Sequence, residues 1–277
     1  MDVLTWQQVV ELLRYDFVRD MLVAGAVLGL LAGVLGPLVV TRKMAFAVHG
    51  TSELAFTGGA AALLIGVGVG YGALVGSLVA ALLLGLLSRR DSDRDSVIGA
   101  ILAFGLGLGV LFLHLNTERT ANKFGLLVGQ VVSIGSTDLW LLVSASVAVL
   151  AVLAFTWRPL LFASVDPAVA VARGVPVRGL AVVFAVLVGV ATALSVQIVG
   201  ALLVLSLMIT PGAAAVRITA SPVRATVLAV VFAEVSALVG MALSLVLGMP
   251  VSVFVTAVSF LIYLVCRLVG GKRQRVQ

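Results

Sequence analysis

The sequence predicts an all-α polytopic membrane protein, and three observations support that prediction. First, 62% of its 277 residues are hydrophobic and only 11% are charged, and the mean hydropathy of +1.24 lies far above the range of soluble domains. Second, apolar residues form repeated runs of about 17 to 23 residues, the length that a helix needs to cross about 30 Å of hydrocarbon. Third, stretches such as Leu74–Leu87 lack the alternation of polar and apolar residues that is typical of a transmembrane β-strand.

We expect about nine transmembrane helices, with eight or ten as alternatives because glycine-rich edges blur the boundaries. The crossings are predicted at 21–40, 45–66, 72–88, 97–114, 139–156, 179–198, 200–216, 225–247 and 251–268. They form a single transmembrane domain over 21–268. An amphipathic N-terminal segment at 1–20 precedes this domain, and a basic tail at 269–277 follows it.

The positive charges are distributed unevenly between alternate loops. One set of loops holds Arg42, Lys43, Arg89, Arg90, Arg94, Arg158, Arg173, Arg178, Arg217, Arg224, Arg267, Lys272, Arg273 and Arg275. The other set holds only Arg14, Arg19, Arg119 and Lys123. Because Lys and Arg favour the cytoplasmic side in short loops, we expect a multi-pass protein of the cytoplasmic (inner) membrane with a cytoplasmic C-terminus. The net charge of +6 therefore reflects topology, and no contiguous basic face indicates nucleic-acid binding.

The apolar segment Phe124–Ile134 is too short to cross a bilayer. On the outer side it predicts a re-entrant half-helix, and the alternative is an interfacial helix. Irregular backbone at membrane depth is tolerated only where protein covers it or water fills a cavity, so a half-helix here indicates a translocation pathway.

Four ionisable side chains lie within or at the ends of predicted crossings, namely His49, Glu53, His114 and Glu234. Ionisable groups at these depths are costly and therefore functional candidates. His49 and Glu53 are four residues apart, so they share one helical face. Imidazole and carboxylate suit zinc, manganese and iron. With water or Thr51 completing the shell, two protein ligands hold an ion only transiently. The alternative is a structural hydrogen bond from His49 to Glu53.

Glu234 and His114 are the weaker candidates for metal ligands. Glu234 lies deep in the eighth predicted crossing, where structural pairing with the hydroxyl of Ser195 or Ser206 is the alternative. His114 lies at the outer end of its crossing, where simple solvation is the alternative.

The cytoplasmic stretch 165–178 predicts a short capped helix. Its residues fit successive helix positions: Asp166 the N-cap, Pro167 the first turn, Arg173 the last turn, Gly174 the left-handed stop and Pro176 the chain beyond it. So short a helix has little stability alone, and the small residues Ala168, Ala170 and Ala172 suit a tight groove on a partner protein. The alternative is an ordinary connector.

The chain is predicted not to hydrolyse ATP and to hold no cofactor. It contains no GxxxxGK[ST] phosphate loop, and the glycine-rich run after Gly105 lacks the strand and acidic residue of a dinucleotide site. We interpret that run as a helix-packing surface. The single cysteine, Cys266, can form neither an internal disulfide nor a thiolate metal cage.

Five segments in this order resemble the permease subunits of zinc, manganese and iron ABC importers, the ABC-3 family. They are Arg42–Phe46 with the segment that follows, Gly129–Trp140, Asp166–Arg178, Val199–Ala215 and Gly248–Ser252. The resemblance implies an ABC importer permease fold related to the cobalamin and siderophore type. It also implies import of a divalent metal ion, with zinc as first choice, manganese second and iron third.

In that family an aspartate is followed four residues later by a histidine and then by Pro-Gly. The matching positions here are His49, Glu53 and Thr57-Gly58, so the spacing is kept and the order of the ligands is exchanged. The resemblance further implies a homodimer of permeases, a pair of cytoplasmic ATPase subunits that bind ATP, and an extracytoplasmic metal-binding protein. The stretch 165–178 would then couple the permease to the ATPase.

Two other functions stay open at this point. One is a proton-coupled secondary metal transporter with Glu53 and Glu234 as proton sites, although the two halves of the chain show no clear self-similarity. The other is a siderophore or cobalamin importer permease, which has no need of a histidine and a glutamate in its pathway.

Overall fold

The computed structural model describes residues 14–87, 94–116 and 136–273, and these ranges fold into helices without a strand. The helices are α1 (Asp16–Thr41), α2 (Ala45–Leu64), α3 (Val69–Leu87), α4 (Arg94–Leu115), α5 (Ser136–Val165), α6 (Pro167–Ala172), α7 (Val177–Val199), α8 (Ala201–Met208), α9 (Thr210–Ile218), α10 (Pro222–Leu247) and α11 (Val251–Arg273). The all-α prediction is therefore confirmed for the described part of the chain.

Six of the described helices are long and apolar enough to cross a membrane, namely α1, α4, α5, α7, α10 and α11. Shorter apolar stretches lie at Val69–Leu83 in α3 and at Leu203–Ile218 across α8 and α9. The count of nine crossings stays a prediction. The predicted half-helix at 124–134 lies outside the described residues.

Three boundaries differ from the sequence-based expectation by five residues or more. Helix α5 continues to Val165, past the predicted end at 156. Helix α1 begins at Asp16, inside the segment that was predicted to precede the first crossing, and an acidic residue in a first helical turn is favourable. Helix α11 continues to Arg273, past the predicted end at 268. There Gly270 lies so close to the carbonyl of Arg217 that a Cβ would stand 2.9 Å from its oxygen. Helix α11 therefore still packs against α9 at Gly270, which belongs to the predicted tail.

The predicted crossing at 200–216 is divided into α8 and α9. Pro211 in the first turn of α9 lacks an N–H and cannot continue the hydrogen-bond ladder of α8, so the helix is interrupted at Ile209. Gly200 separates α7 from α8 with φ of +82°, a conformation that side chains with a Cβ rarely adopt. Pro211 therefore interrupts the helix within a segment whose hydropathy alone predicts one continuous crossing.

Helix α1 packs against α10 along a row of glycines. Gly25, Gly29 and Gly33 follow one another at four-residue spacing and therefore share one face of α1. The residues of α10 that occupy the space of their missing side chains are, in the same order, Met241, Glu234 and Val230. Such small-residue faces let helix backbones approach closely in a membrane.

Helix α2 lies among α3, α4, α7 and α8, and most of its residues are buried. On its α3 side, a Cβ at Gly58 would collide with the carbonyl of Gly72, and a Cβ at Gly76 would collide with the carbonyl of Leu54. On its α4 side, a Cβ at Gly109 would collide with the ring of Phe56. Glycines therefore allow the main chain of α3 to contact the main chain of α2, and they allow the main chain of α4 to contact the ring of Phe56.

We predict that Gly76→Ala destabilises the protein, because the new methyl group meets the main chain of α2 and neither helix can yield without losing contacts. Overpacking of this kind costs about 1–3 kcal/mol. The matched control is Gly107→Ala on α4, where an added Cβ has no neighbour within 4 Å. The unfolding temperature of the detergent-purified protein should fall for Gly76→Ala and stay unchanged or rise for Gly107→Ala. Equal temperatures for the two variants would contradict this account of the α2–α3 contact.

Candidate functional site

His49 and Glu53 lie on consecutive turns of α2, on one face of the helix. Glu53 is 5% exposed and His49 is partly buried. Nδ1 of His49 and Oε2 of Glu53 are both buried and have no hydrogen-bond partner. A buried polar atom left without a partner costs about 1–3 kcal/mol. These two atoms do not form a hydrogen bond with each other. The structural hydrogen bond that was the alternative interpretation of this pair does not supply these two atoms with partners.

The hydroxyl groups next to the pair are oriented by the main chain of α2. Thr51 donates its hydroxyl proton to the carbonyl of Ala47 at 2.8 Å. Ser52 donates to the carbonyl of His49, also at 2.8 Å. A hydroxyl has one proton and two acceptor lone pairs, so each oxygen keeps the capacity to accept a bond or to ligate a cation. Thr51, however, lies two residues from both His49 and Glu53 and therefore on the other side of α2, so this geometry does not support its predicted role as an additional oxygen ligand.

Thr57 ties the helix that carries the pair to α4. Its hydroxyl lies 2.8 Å from the carbonyl of Glu53 and 2.6 Å from the carbonyl of Gly105. The two helices are close at Gly105, since an added Cβ would stand 3.3 Å from Cδ2 of Leu54. Gly105 and Gly109 therefore have the predicted packing role, whereas Gly107 has no neighbour within 4 Å and does not. The sequence did not predict the Thr57 contact, since helical spacing does not tell which neighbour a face meets.

Glu234 lies apart from this pair, on α10. Its carboxyl group packs against Gly29 of α1, where a Cβ would stand 3.0 Å from its Cδ. The suggested bonds to serine hydroxyls are wrong. Ser195 donates to the carbonyl of Ala191, and Ser206 donates to the carbonyl of Leu203.

His114 is exposed at the end of α4. Within the described ranges, no group of three or more His, Cys, Asp or Glu residues is placed to hold a metal ion. The structure therefore unites His49 with Glu53 and adds neither Glu234 nor His114 to them.

The capped helix predicted at 165–178 is α6, and its caps are confirmed. Oδ1 of Asp166 accepts a hydrogen bond from the amide of Val169 at 3.0 Å, and Pro167 opens the helix. Gly174 has φ of +78°. The amides of Gly174 and Val175 bond to the carbonyls of Val171 and Ala170, which is the Schellman pattern of a helix end. Arg173 is the C-cap residue of α6, and Pro176 is the N-cap residue of α7.

The outer face of α6 is apolar and keeps two of the three small residues predicted for it, because Ala168 and Ala172 are exposed and share a face at four-residue spacing, whereas Ala170 does not. Ala170 is fully buried against the protein and cannot contact a partner. Residues two apart lie about 200° apart around a helix, so alternate alanines do not share a face. The outward residues include Val171, which is 62% exposed, and Val165, which precedes the helix and is 74% exposed.

A family model described as "ABC 3 transport family" matches residues 14–270. The chain belongs to the ABC 3 transport family. Its function is therefore transport and not catalysis, and a proton-driven secondary transporter is no longer the alternative. The family match covers nearly the whole chain, including all described helices up to α11.

Two curated relatives resemble the chain over most of its length. The "Manganese transport system membrane protein MntC" of Halalkalibacterium halodurans is 28% identical over 85% of this chain and 81% of its own. The "High-affinity zinc uptake system membrane protein ZnuB" of Haemophilus influenzae is 28% identical over 83% of this chain and 88% of its own.

Two solved structures share the fold. "PsaBC from Streptococcus pneumoniae in complex with Fab" superposes with a TM-score of 0.86 at 22% identity, over 95% of each chain. A "putative metal-chelate type ABC transporter" in an inward-facing conformation gives a TM-score of 0.71 at 15% identity, over 89% of this chain and 85% of the other. The predicted ABC permease architecture, related to transporters of chelated metals, is thereby supported at the level of the fold.

We predict that Asp166→Ala frays α6 without unfolding the protein, because the Val169 amide loses its acceptor. An N-cap aspartate contributes about 1 kcal/mol, equivalent to about fivefold in a local opening equilibrium. Hydrogen exchange at the amides of residues 168–172 should therefore accelerate about fivefold. Asp166→Asn keeps an oxygen at the same position and should exchange at the wild-type rate. Exchange that is equally slow in Asp166→Ala would show that tertiary contacts alone hold the helix.

Proposed function

We propose that this chain is the permease subunit of an ATP-binding-cassette importer that moves a divalent metal ion, manganese or zinc, into the cytoplasm. The observation that carries the proposal is the pair of unpartnered ligand atoms, His49 Nδ1 and Glu53 Oε2, on a buried helix of a transport protein. The names of the two relatives, one for manganese and one for zinc, support the same class of ion.

The chemistry of the pair suits transport better than storage. One neutral nitrogen and one anionic oxygen match both manganese and zinc, so the donor set does not favour zinc as the first choice. Two side chains on one helix leave most of the coordination shell to water or to a second subunit. An ion held in this way can be released, whereas four protein ligands would retain it.

The partners follow from what this subunit contains and lacks. The sequence has no phosphate loop, so ATP hydrolysis belongs to a separate pair of cytoplasmic ATPase subunits. Helix α6 is short, firmly capped and apolar on its outer face, which suits a coupling helix that docks in a groove of that ATPase. We further propose a homodimer of permeases, a cytoplasmic C-terminus and an extracytoplasmic metal-binding protein that delivers the ion.

A siderophore or cobalamin permease is the less favoured alternative. A chelated metal already has its ligands, so such a substrate gives no reason for an unpartnered imidazole and carboxylate on the central helix. Uptake assays with the free ions distinguish the two functions.

The first functional prediction is that Glu53→Gln lowers uptake of radioactive manganese and zinc at least tenfold. The amide keeps the shape of the side chain and one acceptor oxygen, but it removes the negative charge that attracts the cation. The assay uses the permease reconstituted with its ATPase and binding protein. Glu234→Gln is the matched control, since it neutralises a membrane carboxyl group that lies away from α2, and its uptake should stay near wild type. Near wild-type uptake by Glu53→Gln would rule out the carboxylate as an ion ligand.

The second functional prediction concerns the exchanged order of the ligands. His49→Ala and Glu53→Ala should each abolish most uptake, while the double variant His49→Glu/Glu53→His should recover part of it, because the same two donors remain on the same face. Uptake of manganese and zinc is measured separately for each variant. If the double variant is as inactive as the two alanine variants, the position of each ligand matters, and the presence of one imidazole and one carboxylate is not sufficient.

A further inference from the structure

The turn between α1 and α2 is unusually well fixed for a loop. Three successive amides bond back to α1: Arg42 to Leu38 at 3.0 Å, Lys43 to Val40 at 3.1 Å and Met44 to Val39 at 2.9 Å. Lys43 has φ of +55°, a left-handed conformation that is uncommon for a residue with a side chain. The backbone of Arg42 is therefore held rigidly at the start of α2.

The side chain of Arg42 reaches across to α5 and α7. Its Nε–H donates to Oγ of Ser164 at 2.7 Å, and its Nη2–H donates to the carbonyl of Leu160 at 3.2 Å. Its Cζ lies 4.9 Å from the centroid of the Phe184 ring, within the range of a cation–π contact. The guanidinium thus contacts two helices at once.

These contacts lie on both sides of α6 in the chain. Ser164 belongs to the last turn of α5 and stands two residues before the N-cap Asp166, while Phe184 lies on α7, the helix that follows α6. Pro159 lacks an N–H and removes one main-chain hydrogen bond from α5 just before this turn. The Arg42 contacts therefore add polar links to the end of α5, which also packs through the buried side chains of Leu160 and Ala163.

We propose that Arg42 is a positioning residue that transmits movement of α6 to α2, and this inference rests on the proposed function. His49 lies four residues beyond Ala45, the first residue of α2, which is about 6 Å at the helical rise. Helix α2 is continuous from Ala45, so a displacement of the turn is carried along it as a rigid body to His49 and Glu53. The planar guanidinium of Arg42 donates from two nitrogens, so it fixes both the distance and the relative orientation of the turn and α5. The ammonium group of a lysine at this position would not fix the orientation.

The experiment measures metal transported per ATP hydrolysed by the reconstituted complex of permease, ATPase and binding protein. For Arg42→Gln we expect ATP hydrolysis within twofold of wild type and a fall of at least tenfold in this ratio. Lys43→Gln removes the same charge from the neighbouring exposed residue and should leave the ratio unchanged. Arg42→Lys should give an intermediate ratio.

Ser164→Ala is the second variant, because it removes one acceptor and changes the volume of the side chain little. It should lower the ratio about threefold. A purely structural role for Arg42 would lower the yield of folded complex, hydrolysis and transport together and leave the ratio at the wild-type value, which would overturn the proposal. A wild-type ratio in both single variants, Ser164→Ala and Arg42→Gln, would overturn it as well.

The failure of this inference is distinguishable from failure of the proposed function. If the wild-type complex hydrolyses ATP and takes up neither manganese nor zinc, the proposed function fails, and the role of Arg42 falls with it. In the other case the wild-type complex transports the metal and Glu53→Gln does not. If Arg42→Gln then keeps the wild-type ratio of metal transported per ATP hydrolysed, only the proposed role of Arg42 fails.

Discussion

The close contact of α2 with α3 and α4 is the constraint on which the rest of the structure depends. Lipid provides no hydrophobic force between helices, so tight packing and hydrogen bonds must hold them together. Gly72 and Gly76 on α3 and Gly109 on α4 bring the neighbouring backbones against α2. Glycines therefore let α3 and α4 pack closely against the helix that carries the candidate ion ligands.

Two buried atoms of the α2 pair remain without hydrogen-bond partners. The hydroxyls of Thr51, Ser52 and Thr57 bond to main-chain carbonyls, as polar side chains in a membrane must when no water is present. His49 Nδ1 and Glu53 Oε2 are left over. In a transport protein an unsatisfied nitrogen and oxygen on one helical face have a direct use, because a passing cation supplies what both atoms lack.

One end of the bundle combines the capped helix α6 with the side-chain contacts of Arg42. Helix α6 is held by its own caps and by the burial of Ala170, so it behaves as a rigid body between α5 and α7. Arg42 contacts the helix on each side of it. Interior packing of this kind is close to rigid, so small movements at one end are transmitted and not absorbed.

The sequence by itself determined the helical class, the face shared by His49 and Glu53, and the caps of α6, because these depend on composition and on residues within four or five positions of one another. Only the tertiary structure decided that Glu234 packs against Gly29 away from the pair, that Ala170 faces inward, and that Arg42 joins α5 and α7. Helical periodicity defines which residues share a face, but it carries no information about which helix that face meets. Contacts between residues more than a hundred positions apart, such as Arg42 with Ser164, exist only once the helices have packed.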